Sequence, residues 1–132
     1  PKALARAAQW ADGVYAWSGN GQQAEMTSHL ERARQAWDEA GRETPPRQVG
    51  GFWCSLADDA PERLRQYVFD YIRVFGEEAA QAMSGMMNRS NSDAVRESLD
   101  AMEAAGCEET FLVPATADVE EVERAAELIS RR

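Results

Sequence analysis

The sequence is poor in the residues that build metal sites, disulfides and membrane segments. It holds two cysteines, Cys54 and Cys107, and one histidine in 132 residues, with no CxxC motif. A zinc site takes about four such ligands, so we expect no metal site and two reduced, buried thiols, as is usual in the cytoplasm. No apolar run approaches the roughly 20 residues that cross a bilayer, and the opening Pro-Lys-Ala does not begin a signal peptide. We therefore expect a cytoplasmic protein with no membrane partner.

Basic residues are also in deficit. The chain carries 23 acidic residues against 14 lysines and arginines, for a net charge of −9. Nucleic-acid binding depends on clustered cations that neutralise phosphates, so the charge balance argues against a nucleic-acid partner. A solvated acidic surface that aids solubility accounts for the excess.

Hydrophobic residues, which make up 44% of the chain, fall into two alternating patterns. Apolar residues at helical spacing predict helices over 2–11, 22–40, 58–75, 77–87 and 92–105, and a last helix that begins with a capping pair, Asp118 and Glu121. Short, uniformly apolar runs predict strands over 14–17, 49–56 and 110–113. In the second strand, Gly50-Gly51 indicates a bulge or a close approach of the backbone.

This alternation of helices and buried strands predicts an α/β fold with parallel strands and right-handed crossovers. We find no second domain and interpret residues 1–132 as one unit. Three parallel strands cannot close a barrel, and an open sheet of three leaves two edges unpaired. The pattern therefore indicates either part of a larger α/β fold or a sheet that a second copy, as in a homodimer, completes.

Four stretches resemble the carboxyl-terminal part of the luciferase-like flavin-dependent oxidoreductases, a superfamily of TIM barrels. They are PKALARAAQWADGVYAW (1–17), EMTSHLERARQAWDEAGRE (25–43), NSDAVRESLDAMEAAGCEETFLVP (91–114) and ADVEEVERAAELI (117–129). The resemblance covers most of the chain but less than half of the family's barrel. It implies a single partial domain over 1–132, with about three parallel strands and five or six helices of a (β/α)8 barrel.

The resemblance also implies a cofactor, reduced FMN or a deazaflavin, and sites for it. In the family the cofactor phosphate lies near the start of the helix that corresponds to residues 2–11, which points to Lys2, Ala3 and Leu4. Backbone N–H groups and the helix dipole there can meet an anion. A solvated terminal lysine is the alternative explanation for Lys2.

In TIM barrels the active face lies at the carboxyl ends of the strands. Here those ends place Trp17, Ser18, Trp53 and Ser55 as candidate substrate-pocket residues. Packing in the core is the alternative for both tryptophans. No catalytic acid or base stands out, which suits chemistry performed by a cofactor.

Two other features have a structural and a functional interpretation. Ser18-Gly19-Asn20-Gly21 follows a strand and opens a helix, as an anion cradle does, but it lacks the full GxGxxG spacing and the P-loop lysine, so we predict a plain turn. Met83, Met86 and Met87 suit a flexible lid over a pocket, the filling of a core, or a partner-facing surface.

The leading hypothesis is the carboxyl-terminal part of a flavin-dependent oxidoreductase, in particular a monooxygenase, acting on a small organic substrate. These 132 residues alone are expected to have no turnover, because the rest of the barrel, or a second copy, is needed to cover the strand edges. The alternative is a non-catalytic α/β module that self-associates or binds a partner. A third option is another class of TIM-barrel enzyme.

Overall fold

The computed structural model describes residues 2–131. Pro1, which begins the first stretch quoted above, and Arg132, at the end of the predicted domain, lie outside the described residues. The elements, in order, are α1 (Lys2–Ala7), β1 (Gly13–Trp17), α2 (Gln23–Glu39), β2 (Arg47–Cys54), α3 (Ala60–Ile72), a 3-10 helix (Arg73–Phe75), α4 (Glu77–Gly85), α5 (Ser92–Ala105), β3 (Glu109–Pro114) and α6 (Val119–Ser130). No helix in this range is long and apolar enough to cross a membrane.

The three strands form one parallel sheet in the order β1-β2-β3. Trp17 pairs with Gly51 across the first ladder, and Trp53 pairs with Val113 across the second. The predicted parallel pairing is therefore confirmed. Only β2 has a neighbour on both sides, and within residues 2–131 the outer edges of β1 and β3 pair with no further strand.

Helices α2, α5 and α6 cover one face of the sheet. The strands contribute buried apolar side chains to this core, and the helices contribute the facing layer; together the fully or nearly buried members are Ala16, Met26, Leu30, Phe52, Cys54, Val95, Leu99, Met102, Ala105 and Leu128. Because side chains alternate along a strand, the other residues of each strand point to the opposite face, where the candidate site lies.

The two glycines of β2 lie where side chains pack closely against both faces of the sheet. A Cβ on Gly50 would overlap the methyl groups of Met102 and Met26, which pack from α5 and α2. A Cβ on Gly51, on the other face, would overlap the hydroxyl of Tyr15. The pairing of β2 runs without a bulge, so the close approach predicted from Gly50-Gly51 is confirmed.

The first helix is shorter than its sequence pattern indicates. The apolar spacing continues to Ala11, but α1 ends at Ala7 and a turn carries the chain to β1. Ala8 is fully buried, whereas Trp10 in this turn is 78% exposed. Gly13 therefore does not end a helix; it opens β1, and a Cβ at this position would overlap the carbonyl oxygen of Arg47.

We expect Gly13→Ala to destabilise the protein by about 1–3 kcal/mol, because overpacking against a backbone atom forces the two strands apart. Gly85→Ala is the matched control: Gly85 is helical, and a Cβ there meets nothing within 4 Å, so the change should stabilise by roughly 0.5–1 kcal/mol. Urea unfolding of both variants measures the difference. Equal effects of the two substitutions would contradict the close approach at Gly13.

Candidate functional site

A cavity of about 770 Å³ opens at the carboxyl ends of the strands. Its walls are mainly aromatic and come from the sheet and from the segment that follows β2. The aromatic members are Tyr15, Trp17, Trp53, Tyr67, Tyr71 and Phe75. This volume lies in the range of pockets that bind small molecules and cofactors.

Six rings form a continuous row from the face of the sheet to α3, which we call the aromatic row. In order, they are Phe111, Tyr15, Trp17, Trp53, Tyr71 and Tyr67. Its tightest contact joins Trp17 and Trp53, whose ring centroids lie 4.6 Å apart at 67°. Edge-to-face contacts of this kind add to the stabilisation from burial, so the row fixes the orientation of the two tryptophans.

Helices α3 and α4 pack together and enclose the other side of the cavity. Leu64 and Val68 of α3 are fully buried against Trp53 and Met87. Met83, Met86 and Met87 all line the cavity, as the lid interpretation requires. Met87 is buried in this cluster, whereas Met86 is 58% exposed at the rim; one methionine therefore fills core and another borders the opening.

The structure brings together two of the four predicted pocket residues. Trp17 and Trp53 line the cavity, but Ser18 and Ser55 are not among its lining residues, and both are fully buried. Ser18 follows Ala16 on the helix-covered face. Its hydroxyl donates to the carboxylate of Glu25 at 2.6 Å and accepts from the backbone N–H of Gln22 at 2.9 Å. Ser18 therefore orients the first turn of α2.

Ser55 belongs to a buried connection between β2 and α6. Its hydroxyl donates to Glu121 at 2.7 Å, and the backbone N–H of Leu56 donates to the same carboxylate at 3.2 Å. The predicted capping pair is therefore wrong: Glu121 is 4% exposed and turned toward β2, while Asp118 makes no side-chain cap and pairs with Arg63 at 2.7 Å. The Glu121 carboxylate accepts hydrogen bonds from the two residues that follow β2, and it therefore does not cap the start of its own helix.

Lys2, Ala3 and Leu4 lie in α1, and none of them lines the cavity. Leu4 packs in a cluster with Ala8 and Trp37, toward the carboxyl end of α2. Contact of these three residues with a cofactor stays a prediction carried by the resemblance.

The Ser18-Gly19-Asn20-Gly21 segment is a turn, as predicted. Gly21 donates its N–H to the carbonyl of Ser18 and adopts φ +60°. Asn20 has a role that the sequence does not show. Its side-chain amide donates to the backbone carbonyl of Met86 at 2.9 Å, and its backbone carbonyl accepts from the side chains of Arg89 and Ser98. The turn thereby ties β1 to the loop between α4 and α5.

The remaining lining residues are aliphatic or polar, and one is charged. The aliphatic ones besides the methionines are Ile72 and Val113, the polar ones are Asn20, Gln22 and the charged Glu25, and Gly19 completes the described lining. Partial burial raises the pKa of the Tyr15 phenol above its ordinary value. Among residues 2–131 no cluster of His, Cys, Asp and Glu could hold a metal ion.

Neither cysteine is placed for chemistry in the cavity. Both thiols are free, with Cys54 buried and Cys107 half-buried. Burial and the nearby Glu121 raise the pKa of Cys54 to about 12. Burial also raises the pKa of Cys107. The reactive form of cysteine is the thiolate, so Cys54 is inert at neutral pH.

We expect Ser55→Ala to cost about 1–3 kcal/mol, because it leaves the buried Glu121 carboxylate short of a donor. Ser130→Ala removes an exposed hydroxyl that donates to a carbonyl of its own helix and should change stability by less than about 0.5 kcal/mol. Thermal unfolding of the two variants measures the difference. A neutral Ser55→Ala would show that the hydrogen bond from Ser55 to Glu121 contributes no net stability.

Alkylation of the thiols should be selective in the native protein. With a pKa of about 12, Cys54 is thiolate in only about one molecule in ten thousand at pH 8, so iodoacetamide should modify Cys107 first. Raising the pH toward 12 should accelerate labelling of Cys54, and urea should expose both thiols. Peptide mass spectrometry identifies the site; faster labelling of Cys54 at pH 8 would refute its burial.

Comparison with known proteins shows the fold and leaves the activity open. No family model and no curated protein sequence matches this chain. A solved structure described as an F420-dependent secondary alcohol dehydrogenase in complex with an F420-acetone adduct is similar, with a TM-score of 0.64 and 15% identity over 91% of this chain. The alignment covers 42% of that structure, so this chain spans less than half its length. The α/β fold, with three parallel strands and six α-helices within residues 2–131, is that of part of a TIM barrel, as predicted.

Proposed function

We propose that this chain forms the carboxyl-terminal strands of a luciferase-like oxidoreductase of barrel fold, which transfers a hydride between a deazaflavin and a small organic substrate. The observation that carries the proposal is the cavity between Trp17, Trp53 and the α3–α4 segment at the carboxyl ends of parallel strands. That is the face on which TIM-barrel enzymes build their active sites.

The choice of deazaflavin over FMN is part of this proposal. The resemblance allows either cofactor, and it includes monooxygenases. The similar structure is an F420-dependent dehydrogenase, and F420 is a deazaflavin. We therefore favour hydride transfer by a deazaflavin over activation of oxygen by FMN.

The cavity lining suits one part of such a cofactor. Its aromatic and aliphatic walls fit a planar ring or an apolar substrate beside it. No Lys, Arg or His of residues 2–131 lines it, so the lining offers nothing to an anionic phosphate tail. We keep Lys2, Ala3 and Leu4 as the proposed phosphate contact on the strength of the resemblance.

A bound deazaflavin would supply the redox chemistry, accepting a hydride from an alcohol or returning one to a carbonyl compound. The residues of this chain would form the walls of the site in which the cofactor ring and the substrate bind. Trp17 and Trp53 present rigid apolar surfaces, and Met87 and Val113 fill the space beside them. Such walls orient a ligand and exclude water from the reacting groups.

Complete protein should bind a deazaflavin, with saturable quenching of tryptophan fluorescence. Trp17→Leu should weaken binding about ten-fold or more, because it removes a ring at the wall of the cavity. Trp10→Leu is the matched control, since Trp10 is 78% exposed and outside the cavity; it should leave the affinity unchanged. Turnover should be measured with a secondary alcohol and, separately, on the 132 residues alone, which we expect to be inactive.

Absence of binding by both deazaflavin and FMN would refute the proposal. Tighter binding of FMN with oxygen consumption would replace hydride transfer by the monooxygenase alternative. Sedimentation tests the non-catalytic alternative: a stable oligomer that binds neither cofactor would favour a module that self-associates.

A further inference from the structure

Among residues 2–131, one charged side chain, that of Glu25, lines the cavity described above. We infer that the cavity selects an apolar substrate that is neutral or cationic and presents a hydrogen-bond donor, a hydroxyl or an ammonium group, to this carboxylate. The inference rests on the proposed function for the reaction that follows binding, but the binding preference itself can be measured without a cofactor.

A hydrogen bond from a buried serine orients the Glu25 carboxylate. It lies in the first turn of α2, where the hydroxyl of Ser18 donates to Oε2 at 2.6 Å. Ser18 is fully buried and its oxygen also accepts from the N–H of Gln22, so its hydroxyl proton is directed at Glu25. On the other side, Oε1 lies 4.0 Å from Nε2 of His29, beyond hydrogen-bond distance.

The arrangement leaves Glu25 with capacity for a further partner. The side chain is 47% exposed, and a carboxylate accepts about four hydrogen bonds. Ser18 donates to Oε2, which leaves Oε1, 4.0 Å from Nε2 of His29, as the oxygen that we expect to accept from a ligand in the cavity. A hydroxyl or ammonium group on a ligand would make a hydrogen bond to a charged acceptor, which is stronger than one between neutral groups.

The rest of the described lining offers an anion no positive charge. No cation of residues 2–131 is among the lining residues, which are mostly aromatic rings, aliphatic groups and thioethers. A carboxylate ligand would meet the Glu25 carboxylate with no positive charge in the described lining to offset the repulsion between like charges. The net charge of −9 adds a weaker, longer-ranged repulsion that salt screens.

Three ligands of the same ring system test the inference. They are 2-naphthalenemethanol, 2-naphthylmethylamine in its ammonium form and 2-naphthoate, titrated calorimetrically into complete protein without cofactor. The alcohol and the ammonium should each bind at least about ten-fold more tightly than the carboxylate, because the carboxylate meets Glu25 without a counter-charge.

Two variants assign the preference to Glu25. Glu25→Gln should weaken binding of the ammonium ligand about ten-fold. It should also bring the affinity for naphthoate to within about three-fold of that for the alcohol, because the repulsion between carboxylates is gone and the amide oxygen still accepts from Ser18. Glu43→Gln makes the same change of charge at an exposed position outside the cavity and should leave all three affinities within about two-fold, as expected for a distant screened charge. Circular dichroism checks that both variants are folded.

The inference is overturned if naphthoate binds as tightly as the alcohol, if none of the three binds, or if Glu25→Gln leaves their ratios unchanged. These outcomes are separable from failure of the proposed function. A protein that shows the predicted preference but binds no flavin keeps the inference and loses the redox proposal. A protein that binds deazaflavin but prefers naphthoate keeps the redox proposal and loses the inference about Glu25.

Discussion

The absence of side chains at Gly50 and Gly51 is the constraint on which the rest of the structure depends. These residues occupy the middle of β2, which has a neighbouring strand on each side. On one face, the methyl groups of Met26 and Met102 occupy the space above Gly50, which lets α2 and α5 approach the sheet closely. On the other, Tyr15 lies across Gly51. A larger residue at either position would push a whole layer away, because protein interiors are close-packed.

The candidate site follows from this arrangement. With Tyr15 laid over Gly51, its ring contacts Phe111 at 5.9 Å and Trp17 at 6.3 Å, and Trp17 in turn contacts Trp53. The aromatic row thus begins on the flat part of the sheet and continues to the strand ends, where the α3–α4 segment closes over it. The helix-covered face forms the larger core, and the opposite face forms an apolar, ring-lined cavity whose charged lining residue, among residues 2–131, is Glu25.

Local patterns predict this fold well wherever neighbours in sequence decide the structure. The helix over 92–105 has the predicted bounds, because Asn91 caps its start and Gly106 adopts the left-handed conformation at its end. Trp17 and Trp53 were predictable because parallel strands end at one edge. Ser18 and Ser55 share that edge, but their hydroxyl partners decide where they point, and Glu121 lies 66 residues from Ser55. Tyr67, Tyr71 and Glu25 were missed for the same reason: nothing in a local window shows which distant element they face.

The edge of β1 that pairs with no strand within residues 2–131 has a consequence for how these 132 residues would behave on their own at high concentration. Its five residues, Gly13–Trp17, include no charged side chain, so this strand lacks the lysines and inward-pointing charges that discourage strand addition between molecules. Resistance to such association has to come from the molecule as a whole, through the mutual repulsion of chains that each carry a charge of −9. The acidic composition thus acts as colloidal protection, and its range shortens from about 30 Å at 0.01 M salt to about 3 Å at 1 M.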